Sequence, residues 1–246
     1  MEFEPSREEV MDYNQYIKNL LVRKCFQVSG LHGDYLEFGT YMGNSLADAY
    51  WAAHDICQEF ISGCWEIGEG ESDQKGSSKE FGRQSWEGLR FIGFDSFEGI
   101  PGIGNIDSFY PIFKKGAYKT AEEAFWDNLK QRNIDLSKVK VVKGFFNESL
   151  TSDTANKLNI KMASVIYIDS DIYESARLAL NFCTPFLRDG TTIIFDEWYQ
   201  FQGNPYLGEQ RAFNEWRDNH PEWIVTQYHN EGAFRQAFIL SNKPNL

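Results

Sequence analysis

Four carboxylates follow two apolar runs in the second half of the chain: Asp169 and Asp171 after SVIYI, then Asp196 and Glu197 after TTIIF. If these runs are neighbouring strands of a parallel sheet, the four side chains meet at one edge and repel one another. A divalent cation relieves that repulsion, and Mg²⁺ accepts a few carboxylates together with water. The pattern therefore predicts a metal site. In the alternative reading, Asp171 only caps the helix that begins within IYESARLAL.

A glycine-containing turn earlier in the chain is typical of a nucleotide-binding corner. The segment from Glu37 to Ser45 reads EFGTYMGNS and joins an apolar run to a helical segment. Gly39 allows a tight turn, and Gly43 allows the backbone to approach a ligand at the start of the helix. The segment lacks both the dinucleotide pattern G-x-G-x-x-G and the phosphate loop G-x-x-x-x-G-K-[ST]. A purely structural corner is the alternative.

Asp95 ends the next apolar run, RFIGFD, at a position where a carboxylate usually holds the two hydroxyls of a ribose. In a doubly wound sheet the ligand lies beyond the carboxyl ends of the strands, so the residues that follow each predicted strand are candidates for contact with a cofactor. These candidates are Glu37, Gly39, Thr40, Tyr41, Gly43, Ser45, Asp95, Ser96, Phe97, Gly144, Phe145, Phe146 and Asp169.

Apolar runs that alternate with helical segments imply a mostly parallel sheet covered by helices on both faces. Five strand–helix units precede two last runs, EWIVTQYH and AFRQAFILS, which are too close together for a crossover helix and should pair antiparallel. The predicted fold is a Rossmann-like, doubly wound α/β sheet with a terminal antiparallel hairpin. Class I S-adenosylmethionine (SAM) methyltransferases have this layout, but other Rossmann-like enzymes share it.

The chain is predicted to divide into an N-terminal helical segment, 1–30, and one α/β domain, 31–246. Ser6 and Glu9 form a capping-box pattern at the start of this helix. The helix is predicted to act as a lid, to form a dimer contact or simply to pack on the domain, so a homo-oligomer stays open. Residues 62–88 are rich in Gly, Ser, Glu and Lys and predict an inserted flexible loop.

The charge balance excludes some classes of partner. The 246 residues include 36 acidic and 24 basic side chains, a formal charge of −12. This argues against nucleic acid and anionic membranes, because both reward basic clusters. No apolar run is long enough to predict a membrane span. The charged N-terminus without an apolar stretch and the four cysteines without a CxxC pair favour a cytoplasmic enzyme with reduced thiols.

Seven segments together resemble the macrocin O-methyltransferase (TylF-like) family: LEFGTYMGNS, FIGFDSFEGIPG, FKKGAY, VVKGFFNESL, VIYIDSDIYESARLAL, LRDGTTIIFDEW and GEQRAFNEW. The resemblance implies a class I fold and a SAM- and Mg²⁺-dependent sugar O-methyltransferase. It also implies that Asp169, Asp196 and Glu197 hold the metal. Glu197 departs from the family, which usually has a second Asp at this position, and its extra methylene changes the reach of the ligand.

The hypothesis for the reaction follows from this set of residues. A hydroxyl of a small, sugar-like acceptor, its pKa lowered by the metal, loses its proton to Asp169 or Asp171 and attacks the SAM methyl. Four aromatic residues after the last acidic pair either stack on that acceptor or belong to the core: Trp198, Tyr199, Phe201 and Tyr206. Two other functions stay open: methylation of another small diol such as a catechol, and SAM binding without catalysis.

Overall fold

The strands form one mixed sheet. The computed structural model describes residues 20–64, 74–102, 106–107 and 113–243. Its strands are β1 (Asp34–Phe38), β2 (Phe91–Asp95), β3 (Val139–Lys143), β4 (Ala163–Ile168), β5 (Thr192–Phe195), β6 (Trp223–Glu231) and β7 (Arg235–Asn242). Their order is β3-β2-β1-β4-β5-β7-β6, parallel from β3 to β5 and antiparallel at β7. The predicted fold class, with its terminal antiparallel hairpin, is confirmed.

Helices cover both faces of this sheet. They are α1 (residues 20–29), α2 (Asn44–Ser62), α3 (Gln74–Gly88), α4 (Glu122–Gln131), α5 (Phe146–Ser149), α6 (Ser152–Leu158), α7 (Tyr173–Cys183) and α8 (Gly208–Asn219). Strand β1 shows how the two cores form. Tyr35 packs in the core that α1, α2 and α4 cover, whereas Leu36 and Phe38 pack in the core that α6, α7 and α8 cover. Burial on both faces explains why the central strands are continuous apolar runs.

The direction of chain crossover changes between β1 and β4. Beyond β1 the chain moves outward through β2 and β3, then returns to place β4 on the other side of β1. The loops that follow β1 and β4 therefore diverge to opposite faces and leave a crevice at the carboxyl edge of the sheet. Both strands carry candidate site residues at this edge, so the topology brings the two sequence motifs together.

The expected loop over 62–88 is wrong for its second half, which forms helix α3 from Gln74 to Gly88. Gly82 packs directly on α2, where an added Cβ would lie 2.8 Å from the carbonyl oxygen of Cys57. Phe81 makes an edge contact with Phe60 of α2 at 4.9 Å between ring centroids. Ser78 and Ser85 complete the buried face. A helix that is buried through serine and glycine shows little hydrophobic periodicity, which hid it in the sequence. Residues 65–73 lie outside the described residues.

The described part of the N-terminal helix, α1, is part of a core. Leu21, Cys25 and Phe26 are fully buried against the α2 side of the sheet, and the helix ends at Gly30, whose φ is +69°. Residues 1–19 of the predicted segment 1–30 lie outside the described residues, so the role of lid and the division of the chain at residue 30 stay predictions. In the part that the structure describes, none of the helices is both long and apolar enough to cross a bilayer.

Candidate functional site

An open cavity of about 380 Å³ occupies the crevice between the ends of β1 and β4. Twelve of the residues predicted for the site line it: Gly39, Thr40, Tyr41, Ser45, Asp95, Ser96, Phe145, Phe146, Asp169, Asp171, Asp196 and Glu197. Four other predicted residues, Glu37, Gly43, Phe97 and Gly144, lie outside the described lining. The sequence motifs at the ends of five strands, β1 to β5, thus converge on one space.

Gly39 is required because two loops touch there. Its φ is +93°, and an added Cβ would lie 1.8 Å from the carbonyl oxygen of Asp169. Gly43 was expected to let the backbone approach a ligand, but its lack of a side chain serves the packing of α4 instead. It precedes α2 with a φ of +78°, and its missing side chain leaves room for the Phe125 ring of α4, 2.8 Å from an added Cβ. Gly39 therefore joins the two halves of the cavity, while Gly43 seats α4 on the start of α2.

Asp95 organises the glycine turn from the neighbouring strand. Its Oδ2 accepts hydrogen bonds from the backbone N–H groups of Thr40 at 2.8 Å and Tyr41 at 2.7 Å. Its Oδ1 accepts from the N–H of Phe97 at 2.7 Å. Oδ2 also accepts from the Thr40 hydroxyl at 3.5 Å, whereas Oδ1 has the single bond from Phe97, so a ligand hydroxyl can donate to Oδ1. Asp95 therefore shapes the turn in addition to facing the cavity.

Glu37 is fully buried beneath the cavity rather than exposed in it. Its side chain points to the same face as Tyr35, two residues earlier, because side chains alternate along a strand. The Tyr35 hydroxyl donates to Oε2 at 2.5 Å, and the Ser45 hydroxyl donates to Oε1 at 2.8 Å. Glu37 thus holds Ser45, which does line the cavity. The sequence located the right segment but not the direction of this side chain.

Three carboxylates meet at the other end of the cavity. One oxygen from each of Asp169, Asp196 and Glu197 lies within 4.8 Å of the others. Oδ1 of Asp196 accepts from the Tyr167 hydroxyl and from Nε of Arg235, the latter at 2.5 Å. Oε2 of Glu197 is buried and has no hydrogen-bond partner among the described residues. A buried carboxylate oxygen without a donor fits a hard cation, which would supply the missing charge.

The electrostatics of this cluster follow from its burial. Burial raises the pKa of Glu197 well above its ordinary value, and the charges of Asp196, Asp169 and Glu209 raise it further. Glu209, in the first turn of α8, is fully buried, and its pKa is likewise well above the ordinary range because of burial and of the charges of Asp196 and Asp169. Sequence reasoning missed both Glu209 and Arg235, since each reaches the cluster from an element distant in the chain.

A small apolar cluster, called the wall below, reaches the cavity above the carboxyl edge through Ile100. Ile100, Phe113, Ile172 and Phe201 are buried together. Asp107 fastens this wall to two helices: Oδ2 accepts from the N–H of Tyr173 at 2.7 Å, and Oδ1 accepts from the N–H of Gly208 at 3.0 Å. The first N–H of α7 is therefore bound by Asp107 and not by Asp171, which instead lines the cavity.

The aromatic residues at the cavity differ from those expected. Phe201 is buried in the wall, Trp198 packs against the core of the α7 side, and Tyr206 is 77% exposed outside the described lining. Tyr41 and Tyr118 line the mouth instead, with ring centroids 6.4 Å apart in an edge contact. Burial raises the pKa of Tyr118, and so do the charges of Asp171, Glu197 and Asp169, which places this tyrosine beside the acidic cluster.

The backbone at the cavity is held in an unusual conformation. Left-handed φ angles occur at Tyr41 (47°), Phe97 (57°), Tyr118 (59°) and Asp171 (63°), none of which is glycine. Such angles cost free energy and persist where the surrounding structure imposes them, most often at functional sites. Three of these four residues line the cavity, and they are three of the eight described non-glycine residues that have a positive φ.

Comparison with known proteins relates the chain to one family. The sequence model of the family Macrocin-O-methyltransferase (TylF) matches residues 83–221. The structure resembles that of the O-methyltransferase NovP, with a TM-score of 0.63, 17% identity and coverage of 92% of this chain and 80% of NovP. It also resembles the calicheamicin methyltransferase CalS11, with a TM-score of 0.61, 17% identity and coverage of 95% and 80%. None of the curated protein sequences matches the chain.

A further relative shows the same fold in a complex. TomG from Streptomyces achromogenes, an O-methyltransferase solved with SAM, has a TM-score of 0.51 and 11% identity, with coverage of 92% of this chain and 79% of TomG. At these identities the structural likeness establishes the fold, and the family match establishes the wider relationship.

Proposed function

The chain belongs to the macrocin O-methyltransferase (TylF) family of SAM-dependent enzymes, and from this premise we propose that it methylates a hydroxyl of a sugar or glycosylated small molecule with the help of Mg²⁺. The observation that carries the proposal is the acidic cluster of Asp169, Asp196 and Glu197, which faces an open cavity at the point where the sheet changes direction. The alternatives, another small diol as acceptor or SAM binding alone, are outcomes of the experiment below.

The glycine turn and its surroundings suit SAM. Gly39, Thr40 and Tyr41 present backbone at the start of α2, and Asp95 adds a carboxylate with a free acceptor site for a ribose hydroxyl. Phe145 and Phe146 line the same side and offer apolar faces to an adenine ring. SAM supplies a methyl group already activated on a cationic sulfonium. We assign its binding to these residues, with Asp169 between this side and the acidic cluster.

The acidic cluster suits a divalent cation. Its three oxygens are close enough to share one ion, and Oε2 of Glu197 is buried without a donor among the described residues. Glu197 replaces the Asp usual in the family and still brings an oxygen to within 4.8 Å of the other two. A cation held there supplies positive charge that lowers the pKa of an acceptor hydroxyl. Arg235 already neutralises part of Asp196 through their ion pair.

The protein itself has to orient the acceptor and receive its proton. Asp171 lines the cavity and is not one of the three clustered ligands, and we assign the role of base to its carboxylate; Asp169 is the second candidate. Ile100 and Pro101 line the cavity on the wall side and exclude water from the reacting groups. Tyr41 and Tyr118, 44% and 56% exposed at the mouth, offer aromatic faces to a sugar ring.

A sugar acceptor is supported by the family and by CalS11, which is a TDP-rhamnose 3′-O-methyltransferase. Turnover of labelled SAM should be measured with nucleotide sugars, glycosides and catechols, each with Mg²⁺ and with a chelator. We expect turnover with a sugar-bearing acceptor only when the cation is present. A preference for catechols assigns the other acceptor class, and SAM binding without turnover for any acceptor assigns a non-catalytic protein.

The Asp196→Ala and Asp196→Asn variants test the cluster. Both should lose turnover by on the order of a thousandfold, because Lewis-acid assistance supplies several kcal/mol, while SAM binding persists. Asp196→Asn is the safer variant since it keeps the shape that Tyr167 and Arg235 surround. Asp153→Asn, which removes an exposed carboxylate on α6, is the matched control. Full activity of the Asp196 variants in metal-free buffer would refute the proposal.

A further inference from the structure

Glu209 is a buried carboxylate that the proposed reaction does not use. It lies in the first turn of α8 and is fully buried, although a charged side chain in that state normally needs a partner. Its Oε2 accepts a hydrogen bond from the backbone N–H of Glu197 at 3.0 Å. Its Oε1 is buried and has no hydrogen-bond partner among the described residues. One of the two oxygens of Glu209 is thus hydrogen-bonded to the main chain of Glu197, a residue of the acidic cluster.

The surrounding structure holds Glu209 at this position. Gly208, directly before it, has a φ of +51°. An added Cβ at Gly208 would lie 2.3 Å from the Phe201 ring, so the start of α8 packs directly against this ring. The N–H of Gly208 donates to Asp107, which fixes the first turn. The start of a helix also favours a negative charge through the helix dipole. The approach of Glu209 to Glu197 is therefore built into the packing of α8.

The hydrogen bond between Glu209 and the Glu197 N–H lies just beyond the end of strand β5. Strand β5 finishes at Phe195, and the chain then turns through Asp196 and Glu197 into a loop. Beyond the last strand residue, the Glu197 N–H has left the sheet ladder, and Glu209 supplies its acceptor. A rotation of the main chain at this peptide would move the Glu197 side chain away from Asp169 and Asp196.

We propose that Glu209 is a positioning residue for the acidic cluster, and that its hydrogen bond to the Glu197 N–H sets the orientation in which Glu197 meets a divalent cation. The inference rests on the proposed function, since it assumes a cation at Asp169, Asp196 and Glu197. Groups that orient metal ligands in this way typically change metal affinity by about 10- to 100-fold when removed.

The test compares two variants of the full chain. Glu209→Met has a similar length but no acceptor, and it removes a buried carboxylate, so the fold should tolerate it. Glu209→Gln keeps an oxygen for the Glu197 N–H. Asp218→Asn, which removes an exposed carboxylate on the same helix, is the control. The dissociation constant of Mn²⁺ should be measured by titration calorimetry and by the electron paramagnetic resonance signal of the free ion, without SAM.

We expect Mn²⁺ affinity to fall by about tenfold or more in Glu209→Met and to stay within a few-fold of wild type in Glu209→Gln and Asp218→Asn. Unchanged affinity in Glu209→Met overturns the positioning role. Equal weakening in the Met and Gln variants assigns the effect to charge and also overturns it. A wild-type protein that binds no Mn²⁺ overturns the proposed metal site together with this inference, so the two failures are distinguishable.

Discussion

The two sides of the cavity differ in whether their carboxylate oxygens have hydrogen-bond donors within the protein. On the glycine side, which comprises Gly39–Ser45 and Asp95, the carboxylates bind donors of the protein itself: Asp95 accepts three backbone N–H groups, and Glu37 beneath accepts two hydroxyls. On the acidic side, which comprises Asp169, Asp171, Asp196, Glu197 and Glu209, two buried carboxylate oxygens have no hydrogen-bond partner among the described residues.

This difference separates recognition by shape from recognition by charge. A side whose carboxylates are held by backbone donors is ordered before the ligand arrives, so we expect it to select a ligand mainly by fit. Buried carboxylate oxygens without a donor cost free energy unless a proton or a cation satisfies them, so under the proposed function we expect the acidic side to select a ligand by charge. On the acidic side, Arg235 neutralises part of the charge through its ion pair with Asp196.

The largest effect is expected for Asp171, whose substitution should impair proton transfer on the acidic side without changing cation binding. Asp171→Asn should lower kcat by about 10²- to 10⁴-fold, the range for loss of a general base. The affinities for Mn²⁺ and SAM should stay unchanged, because Asp171 is not one of the three clustered ligands. Single-turnover kinetics and calorimetry measure these quantities, with Asp153→Asn as the control. Wild-type kcat in this variant would assign proton transfer to Asp169.

The next variant, Gly39→Ala, is expected to disrupt the turn on the glycine side. Gly39→Ala places a Cβ on the carbonyl oxygen of Asp169, at 1.8 Å, in a residue with a φ of +93°. We expect a loss of about 3 kcal/mol or more in the free energy of unfolding, from overpacking and backbone strain together, and a large loss of SAM affinity.

Gly63→Ala is the matched control for this variant. Gly63 also has a positive φ, +78°, but no atom lies within 4 Å of its added Cβ. It should cost only about 1 kcal/mol and leave SAM binding unchanged. Chemical denaturation and SAM titration compare the two, and similar behaviour of both variants would contradict the steric argument at Gly39.

A smaller effect is expected where the wall joins the two sides. Asp107→Ala removes two bonds to helix N-termini, at Tyr173 and Gly208, and should destabilise the protein by about 2 kcal/mol, since one such cap contributes about 1 kcal/mol. The KM of the acceptor should rise while the affinity for SAM is kept. Asp107→Asn, which retains one oxygen, should lose about half as much. An unaltered acceptor KM would show that the wall does not shape the acceptor site.

The smallest effect is a difference in pH dependence. Folding raises the pKa of Glu209 above its ordinary value of 4.5, mainly through burial, so the folded state binds more protons than the unfolded state. The stability that this group contributes is fully present below its unfolded pKa and is lost as the pH rises through the raised pKa. Without divalent cations, wild type should therefore lose more stability than Glu209→Gln as the pH rises above the ordinary value of 4.5.

Urea unfolding at a series of pH values measures this difference. Parallel stability curves for wild type and Glu209→Gln would contradict the direction assigned to Glu209. Addition of Mg²⁺ should reduce the pH dependence of wild type more than that of the variant, because the cation supplies the charge that the acidic side lacks.

Much of the site could be predicted because strand ends are visible in the sequence. Asp169, Asp196 and Glu197 follow apolar runs directly, and parallel strands bring such residues to one edge. Glu209, Arg235 and Tyr118 could not be found in this way. Each belongs to another element, and its approach depends on how that element packs. Helix α3 was missed for a related reason, since Ser78, Gly82 and Ser85 bury a face that carries no apolar signal.

The amino-acid sequence by itself determined the strands, their parallel arrangement and the residues that end them, because local periodicity and burial on both faces act within short segments. Only the tertiary structure decided where the side chains of those residues point and what partners they have. Glu37 is buried under the cavity, Gly43 seats α4, and Glu209 binds the main chain of Glu197. These outcomes depend on contacts between residues far apart in the chain, whose distances are set only when both cores pack.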